Sequence, residues 1–469
     1  MTSSAANHFD LIVLGAGSGG YVAAIRAAQL GMTVGIIEER YWGGVCLNTG
    51  CVPSKALLRN AEIASIITDK SETFGISGDV SLDYSRAVSR SREVADARVR
   101  GVHFLMRKNT ISEIDGHGRF TSPHSVHVDL SEGGERSLTF DHAVIATGAR
   151  VRMLPGVALS DNIVTYEQQI LTAELPESIV MIGAGSIGME FAYILHSYGV
   201  HVEILEYADR VLPFEDVAVS RELQRHYRRR GIEIHTSTRV DKVTDHGEYV
   251  TIDHTGGDGT SSTAQAARAF ICIGFRPNVE EIGLDAAGVR VLATGAIGID
   301  SYMRTSASHI YAVGDVTAKV QLAHVASTQG VIAAESIAGV PTMTLDYQMM
   351  PRVTFCQPQV ASFGYTEEQA RAAGYRLRVA TFPMQASAKA HGLGERGGFI
   401  KMIADEVHGE LLGAHLVGSE VSELLPELTL AQLWDLTATE LARNVHTHPT
   451  LGEGLQECFH ALSGNAINL

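Results

Sequence analysis

Two cysteines, Cys46 and Cys51, are the residues whose type and spacing most clearly suggest chemistry. They enclose only the short segment LNTG, so a disulfide between them would remove little loop-closure entropy and would stabilise the fold little. The short loop would instead keep two thiols close enough for rapid, reversible exchange. A helix predicted to begin near Pro53 would lower the pKa of a nearby thiol. The pair therefore predicts an electron relay.

Metal binding is the alternative for this pair. A zinc site needs about two further ligands, and the segment GGVCLNTGCVPSK offers none. The remaining cysteines, Cys272, Cys356 and Cys458, each stand alone, and we predict that they are buried small apolar residues. In a reducing compartment a close pair is usually redox-active, catalytic or metal-binding, and seldom structural.

The composition is that of a globular enzyme. The 469 residues are 45% hydrophobic and 19% charged, which excludes wholesale disorder and predicts several domains. A formal net charge of −16 argues against nucleic acid as a partner, and we interpret the one basic cluster, 225–230, as a solvated helix face. The N-terminal MTSSAANHFD does not resemble a signal peptide, and no apolar run approaches the roughly 18 residues that span a bilayer. We expect a cytoplasmic protein without nucleic-acid or membrane partners.

Two βαβ units are the elements that would position these groups. Each unit has an apolar strand, a glycine turn, a helix and a second strand. The predicted strand, helix and strand are 10–14, 21–30 and 33–39 in the first unit, and 178–185, 187–198 and 201–206 in the second. Helices are predicted over 57–110, and short strands over 111–147. The chain thus contains two Rossmann-type modules.

Both modules carry the pattern G-x-G-x-x-G. The first glycine permits a tight turn, the second admits a pyrophosphate, and the third lets helix and strand pack closely. The glycines are Gly15, Gly17 and Gly20 in the first module, and Gly183, Gly185 and Gly188 in the second. Glu38 and Glu206 end the following strands, where a carboxylate can hold ribose hydroxyls. A carboxylate at Glu206 favours NAD over NADP. Glycine turns in an α/β sheet without ligands are the alternative interpretation.

The segment GGVCLNTGCVPSKAL closely resembles the active-site signature of class I pyridine nucleotide-disulfide oxidoreductases. The segment TSASHIYAVGD, 305–315, resembles the second FAD fingerprint of that family, and Ala146, Thr147 and Gly148 match its ATG turn. The resemblance implies that FAD binds the first module and NAD the second. The implied FAD residues are Gly15, Gly17, Gly20, Glu38, Gly44, Lys55, Gly118, Thr147, Gly148, Asp315, Gln321, Leu322, Ala323 and His324. The implied NAD residues are Gly183, Gly185, Gly188, Glu190, Glu206, Val240 and Gly274.

The resemblance also implies roles along the relay. Cys46 would exchange with substrate, and Cys51 would lie against the flavin. Lys55 would approach flavin N5, and Glu190 the nicotinamide. On the sequence alone, Lys55 and Glu190 are plausible helix-surface or inter-helix residues, and Asp315 could equally be an ordinary turn residue.

The C-terminal segment HTHPTLGE contains a histidine and a carboxylate that could act together. His448 precedes Pro449, which favours an extended conformation, and Glu453 lies in a predicted helix. Histidine can accept a thiol proton near neutral pH, and a carboxylate can orient its ring. From the residues alone, Thr450 and Glu453 could be a capping box. The resemblance makes His448 and Glu453 an acid–base dyad facing the partner subunit's disulfide, which implies a homodimer.

The resemblance implies an α/β fold with two Rossmann-like dinucleotide-binding domains, for FAD and NAD, and a C-terminal α+β dimerisation domain. The predicted limits are 1–150 for the FAD-binding domain with the redox disulfide, 151–276 for the NAD-binding domain, 277–347 for a return segment that completes the FAD and central domain, and 348–469 for the dimerisation domain.

Within the family, the chain is most similar to the dihydrolipoamide dehydrogenases of actinobacteria, through segments such as AKAHG, GELLGAHLVG and ARNVHTHPT. This similarity implies NAD-dependent oxidation of protein-bound dihydrolipoamide, with lipoyl-bearing acyltransferase subunits of 2-oxo-acid dehydrogenase complexes as partners. Two alternatives stay open: an NADH-dependent quinone or disulfide reductase of the same family, and a chain that serves chiefly as a docking subunit. The segments CQPQ and FICIGFRPN depart from the family pattern without touching the relay.

Overall fold

Residues 7–468 are described in a computed structural model, and 1–6, which begin the segment considered for a targeting signal, lie outside this part. The strands are β1 His8–Leu14, β2 Val34–Glu38, β3 Ser112–Ser122, β4 Ser125–Leu130, β5 Glu135–Ile145, β6 Ala149–Val151, β7 Ile163–Val164, β8 Ser178–Ile182, β9 His201–Leu205, β10 Glu233–His235, β11 Arg239–Asp245, β12 Val250–Thr255, β13 Ser261–Ala266, β14 Arg268–Ile271, β15 Phe275–Pro277, β16 Ile310–Ala312, β17 Arg352–Thr354, β18 Gln359–Gly364, β19 Leu377–Pro383, β20 Phe399–Asp405 and β21 Leu411–Gly418.

The α-helices are α1 Ser18–Gln29, α2 Gly44–Asn48, α3 Cys51–Asp69, α4 Ser71–Phe74, α5 Tyr84–Lys108, α6 Tyr166–Gln169, α7 Ser186–His196, α8 Val217–Arg230, α9 Leu284–Ala287, α10 Ala323–Ala338, α11 Glu367–Ala372, α12 Ala388–Leu393, α13 Leu425–Leu433, α14 Ala438–Leu441 and α15 Glu453–Leu462. Short 3₁₀ turns occur at Gly314–Thr317, Tyr347–Met349, Met384–Ala386 and Val421–Leu424.

The chain divides into two compact units, each made of three segments. The first unit contains 1–56, 86–152 and 274–347, and the second contains 57–85, 153–273 and 348–469.

A six-stranded sheet forms the centre of the first unit, and it is parallel except for β4, which pairs antiparallel with β3 and β5. Strand β1 pairs with β2 on one side and with β5 on the other, β2 pairs with β3, and β5 pairs with β16, all in parallel. Leu11, Ile12 and Val13 are fully buried, as expected for strands that are covered on both faces. Helix α1 packs closely on α10, where a Cβ at Gly330 would lie only 2.5 Å from the carbonyl oxygen of Gly19.

The second unit contains the other nucleotide module. Its parallel sheet has the order β10, β9, β8, β14, β7, and β8 pairs with both β9 and β14. Helix α7 is buried along most of its length, and Tyr227 of α8 donates a hydrogen bond to the Met189 carbonyl at 2.7 Å. The antiparallel strands β11, β12 and β13 form a separate sheet, and they lie in the sequence between β10 and β14 of the parallel sheet.

The C-terminal part of the second unit is an antiparallel sheet with helices. The sheet order is β17, β18, β21, β20, β19, and β21 is buried at every position. Phe382 of β19 and Phe459 of α15 belong to one apolar core with Leu428 of α13. This core fixes α13 and α15, which flank the segment that carries His448.

The predicted fold class is confirmed: two parallel Rossmann-type sheets precede an α+β domain. The domain limits stay a prediction, and the division into compact units falls after 152, 273 and 347. The segment 57–85 groups with the second unit. Two helices begin earlier than predicted, α1 at Ser18 and α3 at Cys51.

Candidate active site

The first glycine turn, between β1 and α1, has the geometry that a pyrophosphate site requires. Gly15 has a φ of +98°, and a Cβ at Gly20 would overlap the carbonyl oxygen of Gly15. Gly17 and Gly44 approach each other so closely that a Cβ on Gly44 would lie 2.6 Å from the Gly17 Cα. Glu38 accepts a hydrogen bond from the Ala16 N–H at 2.6 Å. Gly15, Gly20 and Gly44 therefore admit only glycine, and the turn leaves the N-terminus of α1 open to phosphate.

The second glycine turn repeats this geometry between β8 and α7. Gly183 has a φ of +113°, and a Cβ at Gly188 would overlap its carbonyl oxygen. Gly185 differs, because a Cβ there would meet no atom within 4 Å and its φ is −73°. Glu206 accepts a hydrogen bond from the Ala184 N–H at 2.5 Å. The space at Gly185 thus suits close approach of a ligand.

The predicted FAD fingerprint lies beside the first turn. The Thr147 hydroxyl donates to the Asn278 carbonyl at 2.7 Å, and Asn278 Nδ2 donates to the Thr147 carbonyl at 2.9 Å. Asp315 lies in the 3₁₀ turn after β16, and burial raises the pKa of its carboxyl group to about 6. Gln329 accepts from the Gly314 N–H at 2.6 Å. Hydrogen bonds from hydroxyl groups would stabilise a desolvated carboxyl group at this point. The FAD ribityl chain carries such hydroxyl groups, so these residues fit the flavin.

The two predicted redox cysteines lie at the junction of α2 and α3, which forms the redox corner. Cys46 lies in α2, and Cys51 is the first residue of the 19-residue helix α3. Both are thiols in this structure. A hydrogen bond with Cys51, together with burial, raises the pKa of Cys46, while the charge of Lys55 opposes this rise. Cys46 is partly buried and Cys51 is exposed, and Cys51 stands at the N-terminus of α3, where the helix dipole interacts favourably with negative charge.

Side chains hold this corner in place. Asn48 donates from Nδ2 to the carbonyls of Trp42 and Gly44, both at 2.9 Å. Arg92 of α5 donates to the Asn48 carbonyl. Lys55 lies four residues after Cys51, one turn further along α3. The two sulfurs are therefore carried by backbone that is fixed from several sides.

The two residues predicted to form an acid–base dyad are hydrogen-bonded to each other. His448 Nδ1 lies 2.7 Å from a carboxylate oxygen of Glu453, the first residue of α15. The other oxygen accepts from the Thr450 N–H at 2.8 Å. Only one of the two hydrogen bonds of a capping box is present. The Thr450 hydroxyl donates to the Thr447 carbonyl and does not accept from the backbone N–H of Glu453. Burial opposes ionisation of Glu453, but its hydrogen bonds from the Thr450 N–H and His448 lower its pKa. The ring of His448, 73% exposed, is thus oriented by a carboxylate.

The other predicted ligand residues occupy varied positions. Glu190 is buried in α7 and accepts a hydrogen bond from the Phe355 N–H at 2.8 Å. Gly118 in β3 pairs with Val128, and Val240 in β11 pairs with His254. Gly274 has a φ of +99°, and the segment Gln321, Leu322, Ala323 and His324 leads into α10, which begins at Ala323. Their contacts with cofactors stay predictions.

Two sequence interpretations need correction. Cys356 and Cys458 are buried as predicted, but Cys272 is only partly buried, and its thiol lies 3.2 Å from the carbonyl oxygens of Ile182 and Gly183. The arginines of the basic cluster on α8 are exposed as predicted, except for the partly buried Arg230, whose guanidinium lies over the Tyr193 ring and pairs with Asp69 at 3.3 Å. In both cases a polar partner distant in sequence determines the environment.

Sequence reasoning missed the residues that support the site. Asn278 and Gln329 fix the FAD fingerprint, but Gln329 belongs to no recognised motif, and Asn278, in the segment FICIGFRPN, was given no role. In the sequence, Asn278 stands out only as a polar residue directly after the short strand β15. Gln329 stands out only as a glutamine on the apolar helix α10.

The C-terminal part of the second unit exposes large apolar side chains. Leu430 and Leu433 of α13 are 56% and 66% exposed, and Trp434 after them is 71% exposed. Exposed apolar residues that cluster on one helix indicate an interaction surface.

Within residues 7–468, no helix combines the length and the apolar character that crossing a membrane requires.

Comparisons with known proteins agree with this geometry. Residues 9–330 match the family model described as pyridine nucleotide-disulphide oxidoreductase, and 350–459 match its dimerisation domain, which supports a homodimer. The chain is 59% identical over 462 residues to a dihydrolipoyl dehydrogenase of Mycobacterium tuberculosis, covering 98% of this chain and 99% of that protein. It is 52% identical over 465 residues to the dihydrolipoyl dehydrogenase of Corynebacterium glutamicum, with the same coverage.

Solved structures show the same architecture. LpdA from Mycobacterium tuberculosis superposes with a TM-score of 0.90 at 26% identity, over 96% of this chain and 99% of that one. The HOCl-induced flavoprotein disulfide reductase RclA from Escherichia coli superposes with a TM-score of 0.86 at 26% identity, over 96% and 99% of the two chains. The chain therefore belongs to the pyridine nucleotide-disulphide oxidoreductases, and within them to the dihydrolipoyl dehydrogenases.

Proposed function

We propose that the chain oxidises dihydrolipoamide to lipoamide and transfers the two electrons to NAD. The observation that carries this proposal is the fixed corner that places Cys46 beside Cys51 at the start of α3. A disulfide between cysteines so close in sequence would stabilise the fold little. Reversible thiol–disulfide exchange, in contrast, requires the two sulfurs to be close together.

Proton transfer is the first step that the chain's own residues perform. His448 is exposed, and its Nδ1 is occupied by Glu453, which leaves Nε2 to accept the proton of a substrate thiol. The ionised Glu453 stabilises the imidazolium that forms. In the homodimer, this ring would serve the disulfide of the partner subunit.

Disulfide exchange follows in two balanced steps. The substrate thiolate attacks Sγ of oxidised Cys46, the Cys46–Cys51 bond breaks, and Cys51 leaves as a thiolate. The second substrate sulfur then attacks the mixed disulfide, which releases lipoamide and returns Cys46 as a thiol. The helix N-terminus at Cys51 stabilises the leaving thiolate.

Two cofactors complete the reaction. The first glycine turn, Glu38 and Asp315 would hold FAD, and the second turn with Glu206 would hold NAD. When bound, FAD accepts two electrons from the dithiol and passes them to NAD. Lys55 and Glu190 are proposed to lie near the flavin and the nicotinamide.

The partners are proposed from this chemistry. Protein-bound dihydrolipoamide would arrive on lipoyl-bearing acyltransferase subunits of 2-oxo-acid dehydrogenase complexes. A cytoplasmic location is consistent with a reversible dithiol relay and a pyridine nucleotide.

The experiment that tests this function compares Cys46→Ser with the wild type in two assays. Turnover of free dihydrolipoamide with NAD should be lost in the variant, whereas NADH-driven reduction of ferricyanide, which bypasses the thiols, should persist. Cys356→Ser is the matched control, because a serine hydroxyl can replace the bond from Cys356 Sγ to the Pro358 carbonyl. Retained dihydrolipoamide turnover in Cys46→Ser would exclude the relay. Rapid quinone reduction by a wild type inactive with dihydrolipoamide would favour the quinone-reductase alternative.

A further inference from the structure

The loop between α14 and α15 carries two histidines in opposite environments. His448 is 73% exposed, whereas the side chain of His446, two residues earlier, is only 8% exposed. Val445, directly before His446, is 89% exposed. A buried side chain within such an exposed loop anchors the loop to the domain beneath it.

His446 is bound on both sides of its ring. Its Nε2 lies 3.0 and 3.1 Å from the two carboxylate oxygens of Glu427, and its Nδ1 lies 3.2 Å from the carbonyl oxygen of Asn444. A carbonyl group and an ionised carboxylate can only accept hydrogen bonds. Each ring nitrogen therefore faces a hydrogen-bond acceptor, and on the Nε2 side that acceptor is a carboxylate.

Glu427 contacts a second residue of the loop besides His446. Its carboxylate also accepts from Asn444 Nδ2 at 3.2 Å, and the Asn444 carbonyl accepts from Gln456 Nε2 of α15 at 2.8 Å. Asn444 thus links α13, which contains Glu427, to α15.

The ring of His446 also contacts the residue next to the acid–base dyad. A Cβ built on Gly452 would lie 3.2 Å from Cδ2 of His446, so the ring packs directly against the N-cap of α15. Glu453 follows in the chain and orients His448. His446 therefore lies two residues before His448 in the chain and packs against the residue before Glu453.

We propose that Glu427 and His446 form a positioning pair that aligns His448 and Glu453 for proton transfer. Neither residue of the pair touches the reacting sulfurs in this proposal. It rests on the proposed function, because alignment of His448 matters only if the enzyme deprotonates a dithiol. Glu427 lies on α13, the helix that also exposes Leu430 and Leu433. The Glu427–His446 pair therefore lies between this apolar surface and the acid–base dyad.

The test uses Glu427→Gln in the full-length holoenzyme, because glutamine keeps the size of the side chain and removes its charge. Glu406→Gln is the matched control, since Glu406 pairs with Arg376 at 2.8 Å in the same domain without contacting the loop. Dihydrolipoamide turnover and NADH-driven ferricyanide reduction are measured on each protein. The second assay uses the flavin but needs no proton transfer by His448.

We expect Glu427→Gln to lower kcat with dihydrolipoamide about tenfold, as small misplacements of a reacting group do, and to leave ferricyanide reduction unchanged. Glu406→Gln should leave both rates unchanged. A parallel fall of both rates in Glu427→Gln, or no fall in either, would overturn the positioning role. A wild type without dihydrolipoamide turnover would instead refute the proposed function, so the two failures are distinguishable.

A double-mutant cycle with His446→Gln provides a second criterion. If the two residues act as a unit, the double variant should lose no more dihydrolipoamide turnover than either single variant. Additive losses would show that the residues act independently, and the proposal would then be wrong.

Discussion

The carboxylate of Glu206 accepts a hydrogen bond from the backbone N–H of Ala184 at 2.5 Å, across the glycine turn of the second nucleotide module. Its other oxygen accepts from the Ala208 N–H at 2.6 Å. Glu38 makes the corresponding bond to Ala16 in the first module at 2.6 Å. In each module, one acidic residue holds the turn against the following strand and also stands where a ribose would bind.

Replacement of Glu206 should therefore change coenzyme selectivity. In Glu206→Gln, the loss of the negative charge weakens the interaction with ribose hydroxyls and removes the repulsion of a 2′-phosphate. We expect KM for NAD to rise about tenfold, equivalent to the loss of one charge-assisted hydrogen bond, and the NAD to NADP preference to fall. Steady-state kinetics with both coenzymes measure this. Glu203→Gln, on the same strand, is the control, and an unchanged preference in Glu206→Gln would contradict the assignment of this residue.

Two glycines of the same turn should respond differently to alanine. Gly185→Ala places a Cβ in open space at an ordinary φ, so the melting temperature should stay the same while KM for NAD increases. Gly188→Ala makes the Cβ overlap the Gly183 carbonyl, so that variant should lose stability by about 1–3 kcal/mol. Thermal melts and NAD titrations on both variants separate folding from binding. A normal NAD affinity in Gly185→Ala would show that no pyrophosphate approaches this position.

The pH dependence of the acid–base dyad follows from Glu453. Hydrogen bonds from the Thr450 N–H and His448 lower the pKa of this carboxyl group against the opposing effect of burial. A depressed carboxyl pKa contributes stability above the ordinary carboxyl pKa, and this contribution disappears as pH falls through the lowered value. Glu453→Gln should therefore reduce the melting temperature at pH 7, and the difference from wild type should vanish in acid.

The acid–base dyad also makes a kinetic prediction. Because Glu453 is ionised throughout the neutral range, its protonation cannot cause a loss of dithiol oxidation in that range. We expect His448→Gln to slow dihydrolipoamide oxidation by about 10²- to 10⁴-fold, the usual contribution of a general base. Glu423→Gln, at an exposed glutamate of the same domain, should behave as wild type. A normal acid limb in His448→Gln would assign the base to another residue.

The exposed apolar residues of α13 predict that a charged substitution on this helix prevents dimerisation. Leu433→Glu places a carboxylate on a side chain that is 66% exposed in the single chain, and association would have to desolvate that charge. We expect sedimentation velocity to show a monomer without dihydrolipoamide turnover. Val407→Glu, at another exposed apolar residue of the domain, should leave the dimer intact. A Leu433→Glu dimer would place the subunit interface elsewhere.

The nucleotide modules and the redox corner were predictable because their signals are local. The glycine spacing, the apolar strands and the terminal glutamates follow from short-range geometry, and the structure places them in matching βαβ units. The pairing of His448 with Glu453 was predictable only through family resemblance, because Thr450 and Glu453 alone allow a capping-box interpretation.

The supporting contacts could not be predicted from periodicity or motifs. Glu427 and His446, and likewise Thr147 and Asn278, meet only after the chain has folded, and no spacing rule relates such pairs. The environment of Cys272 was misjudged for the same reason: its neighbours belong to a strand far away in sequence.

The discontinuity of the first unit has a consequence for synthesis. Strand β16 pairs with β5, and Ile310 lies opposite Ala143, so the second nucleotide module is translated between two neighbouring strands of one sheet. On the ribosome, the edge of β5 stays without this neighbour until translation has passed β16. The nascent chain must therefore avoid non-native strand pairing at that edge for the time needed to make the whole inserted module.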